Sequence, residues 1–200
     1  MGIDEVGRGC LAGPVVAAAV CLPEISPRSK LVRALKQLND SKKVAPAMRE
    51  SLAAVIRECS IYAVAEASVE EINDLNILHA SLLAMKRARR ALIKAIPHAV
   101  LLIDGNQPIP GLSDPQIPII GGDGRSASVA AASIIAKVYR DALMTKLSVS
   151  YEHYGFAKNK GYGSAEHRVA LQIHGPTPCH RTAFLKEEIE EPTWDLVSQF

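Results

Sequence analysis

Val15-Val-Ala-Ala-Ala-Val-Cys-Leu22 is an unbroken run of small and branched apolar residues that stops at Pro23. A strand with one wet face would alternate with polar residues; this one does not, so it reads as a strand buried on both faces. Upstream, Met1 to Ile3 reads as the stub of another strand. Downstream, Pro46 to Cys59 carries Met48, Leu52, Val55 and Ile56 at helical spacing, with proline in the first turn. Ser60 to Ala67 alternates as a strand. Ser68-Val-Glu-Glu71 has the capping-box order and opens a short helical turn, and Asn76 to Ile96 follows as a long amphipathic helix. His98 to Ile103 and Ile117 to Ile120 are compact apolar strands. Ser126 to Leu147 is a well-buried helix without Gly or Pro, Ser164 to His174 another, and Thr182 to Glu190 a last short one. Strands alternating with helices predict an α/β fold, a mixed sheet flanked by helices, with chemistry at the strand ends.

Composition bounds the possibilities. Two hundred residues with 48% apolar content suit one domain over 1–200, with 150–200 as a C-terminal helical segment. A net charge of +2 neither requires nor excludes a nucleic-acid partner, so any basic footprint is local. Cys10, Cys21, Cys59 and Cys179 are scattered, which predicts reduced thiols and a cytoplasmic location. The longest apolar run, Leu11 to Leu22, contains Gly13 and Pro14 and is too short to span a bilayer, so no membrane role is expected.

Asp4 and Glu5 are adjacent near the end of the first strand. On a regular strand they point to opposite faces, so both serve one site only if the strand ends or bulges there; the alternative is a solvated acidic turn. Asp104 and Asp123 each follow an apolar strand and precede a glycine-rich turn. Four carboxylates converging at strand ends repel unless cations neutralise them. Hard oxygen ligands of this kind suit Mg²⁺ or Mn²⁺, and two such ions would clamp a phosphodiester. Asp141, in a helix beside Arg140, reads as a structural or surface charge, and Asp40 as part of a loop that positions lysines. Lys86, Arg87, Arg89, Arg90 and Lys94 read as the wet face of the long helix.

Gly2-Ile-Asp-Glu-Val-Gly-Arg-Gly-Cys-Leu-Ala-Gly-Pro14 resembles the opening signature of ribonuclease HII, the bacterial type 2 ribonuclease H. Further segments resemble that family in the same order: Leu38-Asn-Asp-Ser-Lys-Lys43, Asp74-Leu-Asn-Ile-Leu-His79, Ile103-Asp-Gly-Asn106, Gly122-Asp123, Ala131-Ala-Ser-Ile-Ile-Ala-Lys137, Tyr154-Gly-Phe-Ala-Lys-Asn-Lys-Gly-Tyr162, and His180-Arg181 with Phe184. The resemblance implies a ribonuclease H-like sheet on which Asp4, Glu5, Asp104 and Asp123 are the catalytic, metal-binding acids. It implies a monomeric endoribonuclease that hydrolyses RNA in RNA–DNA hybrids. It also implies cutting on the 5′ side of single ribonucleotides in duplex DNA by two-metal catalysis, leaving 3′-hydroxyl and 5′-phosphate ends.

The same resemblance assigns Gly7-Arg8-Gly9 to the ribonucleotide's 2′-hydroxyl, the group that tells RNA from DNA. Tyr162 is assigned to the following deoxyribose. Read without it, the glycines are a strand-terminating turn and Tyr162 a core or loop aromatic. Lys42, Lys43, Lys158, Lys160, His180 and Arg181 are expected at phosphates; the plainer reading is a solvated basic loop. Two departures stand out: Gly121 replaces a lysine common in the family, and Cys10 replaces a proline and is read as a small buried thiol. The chain also begins almost at the acidic pair, which suggests a late start. Ribonuclease HIII, which carries an extra N-terminal domain and a different glycine motif, is disfavoured by Gly7-Arg8-Gly9 and by the absence of that domain here, and the alternative kept is a non-catalytic hybrid-binding protein.

Overall fold

In the computed structural model, residues 1–24 and 46–185 are described. Lys42, Lys43, Asp40 and most of the last expected helix lie outside them, although residues 182–185 are helical. Five strands form one sheet: β1 (Gly2–Val6), β2 (Val15–Cys21), β3 (Ile61–Ala67), β4 (Leu101–Asp104) and β5 (Gln116–Ile119), in the order β3-β2-β1-β4-β5. β1–β2 and β2–β3 are antiparallel, whereas β1–β4 and β4–β5 are parallel. The expected mixed α/β sheet is therefore observed.

The apolar run that opened the analysis is β2, and its two faces feed two different cores. Val16, Ala18 and Val20 pack with Leu52 and Ile56 of helix α1 (Pro46–Cys59) and with Ile134 and Ile135 of α3 (Ala127–Ser150). Val15, Ala17 and Ala19 face the other way, beside Ile3, Ile103 and Met85 of α2 (Val69–Ala91). Fully burying a side chain such as Ile103 stabilises the fold by about 2 kcal/mol. The alanines let the helices approach closely. Gly2 takes this furthest, since a Cβ there would overlap the backbone carbonyl of Ser128 in the first turn of α3.

Helix α2 begins with the expected capping box, Ser68 and Glu71 each bonding the other's backbone N–H. It is broken at Asn76, whose φ of 67° is non-helical and whose Oδ1 accepts from the N–H groups of Leu78 and His79. Asn76 thus caps a second helical stretch within α2, where the sequence placed the start of a new helix. That stretch ends at Ala91, earlier than the expected Ile96. Arg89 is a correction: it is fully buried, not on the wet face. It pairs with Asp114 at 2.6 Å and donates to the carbonyls of Ile96 and Pro97, tying the end of α2 to the approach to β5.

The C-terminal segment folds as a 3₁₀ turn (Glu152–Tyr154), α4 (Phe156–Asn159) and α5 (Ala165–His174). Tyr154, Phe156 and Leu171 pack against Met144 of α3 and against Leu11 and Ala12 of the β1–β2 connection. Isolated bridges Cys10–Tyr162 and Ala12–His180 stitch the segment to that connection.

Candidate active site

Strands β1, β4 and β5 run parallel, so their C-terminal ends lie along one edge. β1 brings Asp4 and Glu5 there, β4 ends in Asp104, and the chain leaving β5 reaches Asp123 in a 3₁₀ turn (Gly122–Gly124). That turn is entered through Gly121, whose φ of 64° is left-handed. The Gly122 N–H donates to Asp104 Oδ1 at 2.7 Å, locking the β5 turn onto the β4 carboxylate.

Asp4 and Glu5 reach one site without a bulge: of the two routes the sequence left open, a strand that ends or one that bulges, the first applies on the β4 side. Their pairing with Ala18 and Ala17 of β2 is regular through Val6. On the other side the parallel ladder ends at Ile3 opposite Ile103. Beyond that point β1 has no β4 neighbour alongside Glu5, and its carboxylate can turn toward the acids on the other face. Oxygens of Asp4, Glu5 and Asp104 all lie within 4.8 Å of one another, the one such cluster among the described residues. Asp123 lies outside that cluster but lines the same pocket, of about 310 Å³, together with Arg49, Ser133, Lys137 and Tyr162.

The electrostatics follow from this crowding. Burial raises the pKa of Asp4 well above the usual carboxylate range, the charges of Glu5 and Asp104 raise it further, and a hydrogen bond to Ser133 only partly offsets them. Burial also raises Glu5, against which Arg8 acts through a 3.1 Å ion pair. Glu5 Oε2 is buried without a hydrogen-bond partner. A buried anionic oxygen in that state is costly unless a cation meets it.

A family model described as Ribonuclease HII matches residues 1–187. The chain belongs to the ribonuclease HII family. It is 53% identical over 184 residues to the ribonuclease HII of Paramagnetospirillum magneticum, covering 92% of this chain and 88% of that one. Among solved structures it is similar to the ribonuclease HII of Archaeoglobus fulgidus in its complex with PCNA, with a TM-score of 0.77 and 25% identity over 97% of this chain and 98% of that one. It is also similar in fold to Bst-RNase HIII in complex with Mn²⁺, with a TM-score of 0.75 and 22% identity over 94% of this chain and 68% of that one. The chain is accordingly an endoribonuclease of RNA–DNA hybrids. Among the described residues no helix is long and apolar enough to cross a membrane.

For a ribonuclease HII, the other residues singled out in the sequence divide into those that line the site and those that brace it. Arg8 and Gly9 are exposed, and open space lies where a Gly9 side chain would project. Gly7 is buried with φ of 92°, and a Cβ there would overlap the Arg140 guanidinium. Tyr162 is 42% exposed on the pocket wall, with Lys137 Nζ 5.9 Å from its ring centroid. Lys158 is exposed and paired with Glu166, and Lys160 donates to Thr145 Oγ1 at 2.6 Å.

Arg181 and His180 are corrections. Both are fully buried, at 0% and 1% exposure, so neither presents itself to a phosphate. The Arg181 guanidinium donates to the carbonyls of Gly13 and Arg8, and burial pushes its pKa down to about 10. Arg140, also buried, donates to the carbonyls of Ala12, Pro14 and Lys160. Arg181 therefore holds the glycine turn from behind through the Arg8 carbonyl, while Arg140 packs against Gly7 and ties down the backbone that follows the turn. Cys10 is buried as expected, and Asp141 is paired with Lys137 at 2.7 Å and Arg49 at 3.5 Å. Sequence reasoning gave no role to Ser133 or Lys137. Their spacing from Asp141 on α3, i, i+4 and i+8, was the available signal, because it places all three on one helix face.

Proposed function

We propose that this enzyme cuts on the 5′ side of single ribonucleotides embedded in duplex DNA, as well as within hybrids, leaving 3′-hydroxyl and 5′-phosphate ends. Asp4, Glu5, Asp104 and Asp123 are the residues that would hold divalent cations. Three observations fit that role: the clustered oxygens, the unpartnered buried Glu5 Oε2, and a donor set made only of hard carboxylates, which favours Mg²⁺ or Mn²⁺. Bound cations of this kind lower the pKa of an attacking water and neutralise charge on the leaving oxygen.

The protein's own groups position the substrate. In the Gly7-Arg8-Gly9 turn beside Glu5, Gly7 supplies the left-handed bend packed on Arg140, while the open space at the exposed Gly9 allows a sugar hydroxyl to approach the backbone. The Tyr162 ring offers an apolar face to the next sugar. Lys137 adds positive charge beside it, and Lys42 and Lys43 remain expected phosphate contacts. The observation that carries the reading is the convergence of Asp4, Glu5 and Asp104 in one pocket walled by Tyr162.

The test is cleavage of a duplex containing one ribonucleotide, with Mg²⁺ or Mn²⁺ and with chelator, comparing wild type with Asp104→Asn. The expected result is a single cut 5′ to the ribonucleotide that is lost with chelator and in the variant. Cleavage that persists in chelator, or an undiminished variant, refutes the assignment of the acids. Cutting of long hybrids alone refutes the single-ribonucleotide reading.

A further inference from the structure

Behind Tyr162 lies a buried pair of histidines that the site described above does not use. His167 of α5 and His180 of the C-terminal segment are 0% and 1% exposed. Their Nε2 atoms are 3.0 Å apart. His167 Nδ1 lies 2.8 Å from the backbone carbonyl of Tyr162. The Thr177 backbone N–H donates to His180 Nδ1 at 3.0 Å, and the Thr177 hydroxyl, 2.8 Å from the same nitrogen, is placed to donate to it as well.

These partners fix where the protons sit. A carbonyl only accepts, so His167 carries its proton on Nδ1 and leaves Nε2 bare. A backbone N–H only donates, so His180 Nδ1 is bare and its proton is on Nε2. One proton then fills the gap between the rings, donated by His180 to His167. A second proton on either ring would set donor against donor, at Thr177 or between the two Nε2 atoms. The chain of bonds therefore runs from Thr177 through His180 and His167 to Tyr162, and it is complete only when both rings are neutral.

We infer that His167 and His180 are positioning residues for the substrate: as a neutral pair with opposite tautomers, they hold the Tyr162 backbone and thereby the placement of its ring at the pocket. This rests on the reading that Tyr162 meets the sugar. Tyr162 is pinned elsewhere by its N–H to Asn159 and by its bridge to Cys10, while its carbonyl also accepts from Ser164. His180 in turn bridges to Ala12, so the pair couples the tyrosine to the connection that carries the glycine turn.

The pair lies in an aromatic setting. Tyr154 and Phe156 wall it, with ring centroids 4.8 to 6.2 Å away. The Tyr154 hydroxyl donates to the Gly175 carbonyl, and the Cys179 thiol is 4.0 Å from His180 Nδ1; burial holds both protonated. His174 and His153 stack on each other near Tyr154, and the Arg181 cation follows His180 in the chain. Burial and the neighbouring His167 bring His180 down to about 4.

The experiment has a spectroscopic and a kinetic arm. In ¹⁵N-histidine spectra of the wild-type enzyme at pH 7, His167 is expected as the Nδ1–H tautomer and His180 as Nε2–H. A doubly protonated ring or reversed tautomers overturns the inference. Kinetically, His167→Asn keeps an amide donor near the Nδ1 position, whereas His167→Gln moves it toward Nε2. On the single-ribonucleotide duplex the Gln variant should raise KM roughly fivefold, about one hydrogen bond, with kcat nearly unchanged, and the Asn variant should stay near wild type. Equal KM values in both variants overturn the inference. If the Gln variant does not fold, the wild-type tautomers and the Asn variant decide. Tyr162→Ala separates the two readings: an unchanged KM there removes the sugar contact itself, whereas a raised KM with indistinguishable Asn and Gln variants removes only the histidine role.

Discussion

Replacing Asp4 by Asn should destroy activity and stabilise the cation-free protein. Asp4 is 4% exposed and has an oxygen within 4.8 Å of oxygens of both Glu5 and Asp104. Two unit charges at that separation repel by about 3 kcal/mol at an effective dielectric constant of ~20. The wild type escapes part of this by taking up a proton on Asp4, so the net gain from Asn is smaller, about 2 kcal/mol at pH 8. Asn keeps the Oδ1 that accepts the Glu5 N–H at 2.7 Å, so little else is lost. For a chain of this length that gain raises Tm by about 4–8 °C. The sign with pH is fixed by the raised folded-state pKa of Asp4. The folded wild type binds more protons than the unfolded chain, so it loses stability as pH rises out of the ordinary carboxylate range and through the raised value. The advantage of Asn should therefore be small at pH 5, grow toward pH 8, and shrink when Mg²⁺ is added, since the cation supports only the wild type fully. Thermal unfolding in chelator and in Mg²⁺ at both pH values is the assay. An Asn variant no more stable than wild type in chelator at pH 8 would refute the argument that these carboxylates are held in mutual repulsion.

Three further outcomes follow from the packing. Gly7→Ala combines a left-handed φ of 92° with overlap on the buried Arg140 guanidinium, and should cost more than about 2 kcal/mol in urea unfolding while lowering cleavage; a neutral result would mean the turn is easily reshaped. Asp114→Ala leaves the Arg89 cation buried without its carboxylate and should cost about 3–5 kcal/mol, whereas Glu71→Ala, which removes the partner of the exposed Arg87, should cost about 1 kcal/mol or less beyond the lost cap; similar values would show that burial is not the deciding variable. His180, lowered to about 4, stays neutral in the folded protein while the unfolded chain takes up a proton below about pH 6.5, so its contribution is lost as pH falls from there toward 4. Wild type and His180→Gln compared across that range should differ in slope; parallel curves would contradict the assignment.

Much of the fold and of the acidic set was legible in the chain. The uninterrupted β2 run could be covered only on both faces, and helical periodicity located α1, α2 and α3 to within a few residues, because hydrophobic period and capping chemistry are local properties. Asp104 and Asp123 were legible for the same reason, each standing just past an apolar strand. What sequence alone could not supply was decided between segments far apart in the chain. Regular pairing of Glu5 with Ala17, combined with a β4 ladder that stops at Ile103, brings two adjacent carboxylates into one pocket; local reasoning had left open whether the strand ends or bulges, and pairing with β4 decided it. Arg89, Arg181 and His180 read as solvent-facing because charged and polar side chains usually are; tertiary packing buries them by supplying Asp114, the carbonyls of Arg8 and Gly13, and the ring of His167 as partners. Burial of a polar group depends on whether a partner meets it in space, and that partner can be more than a hundred residues away.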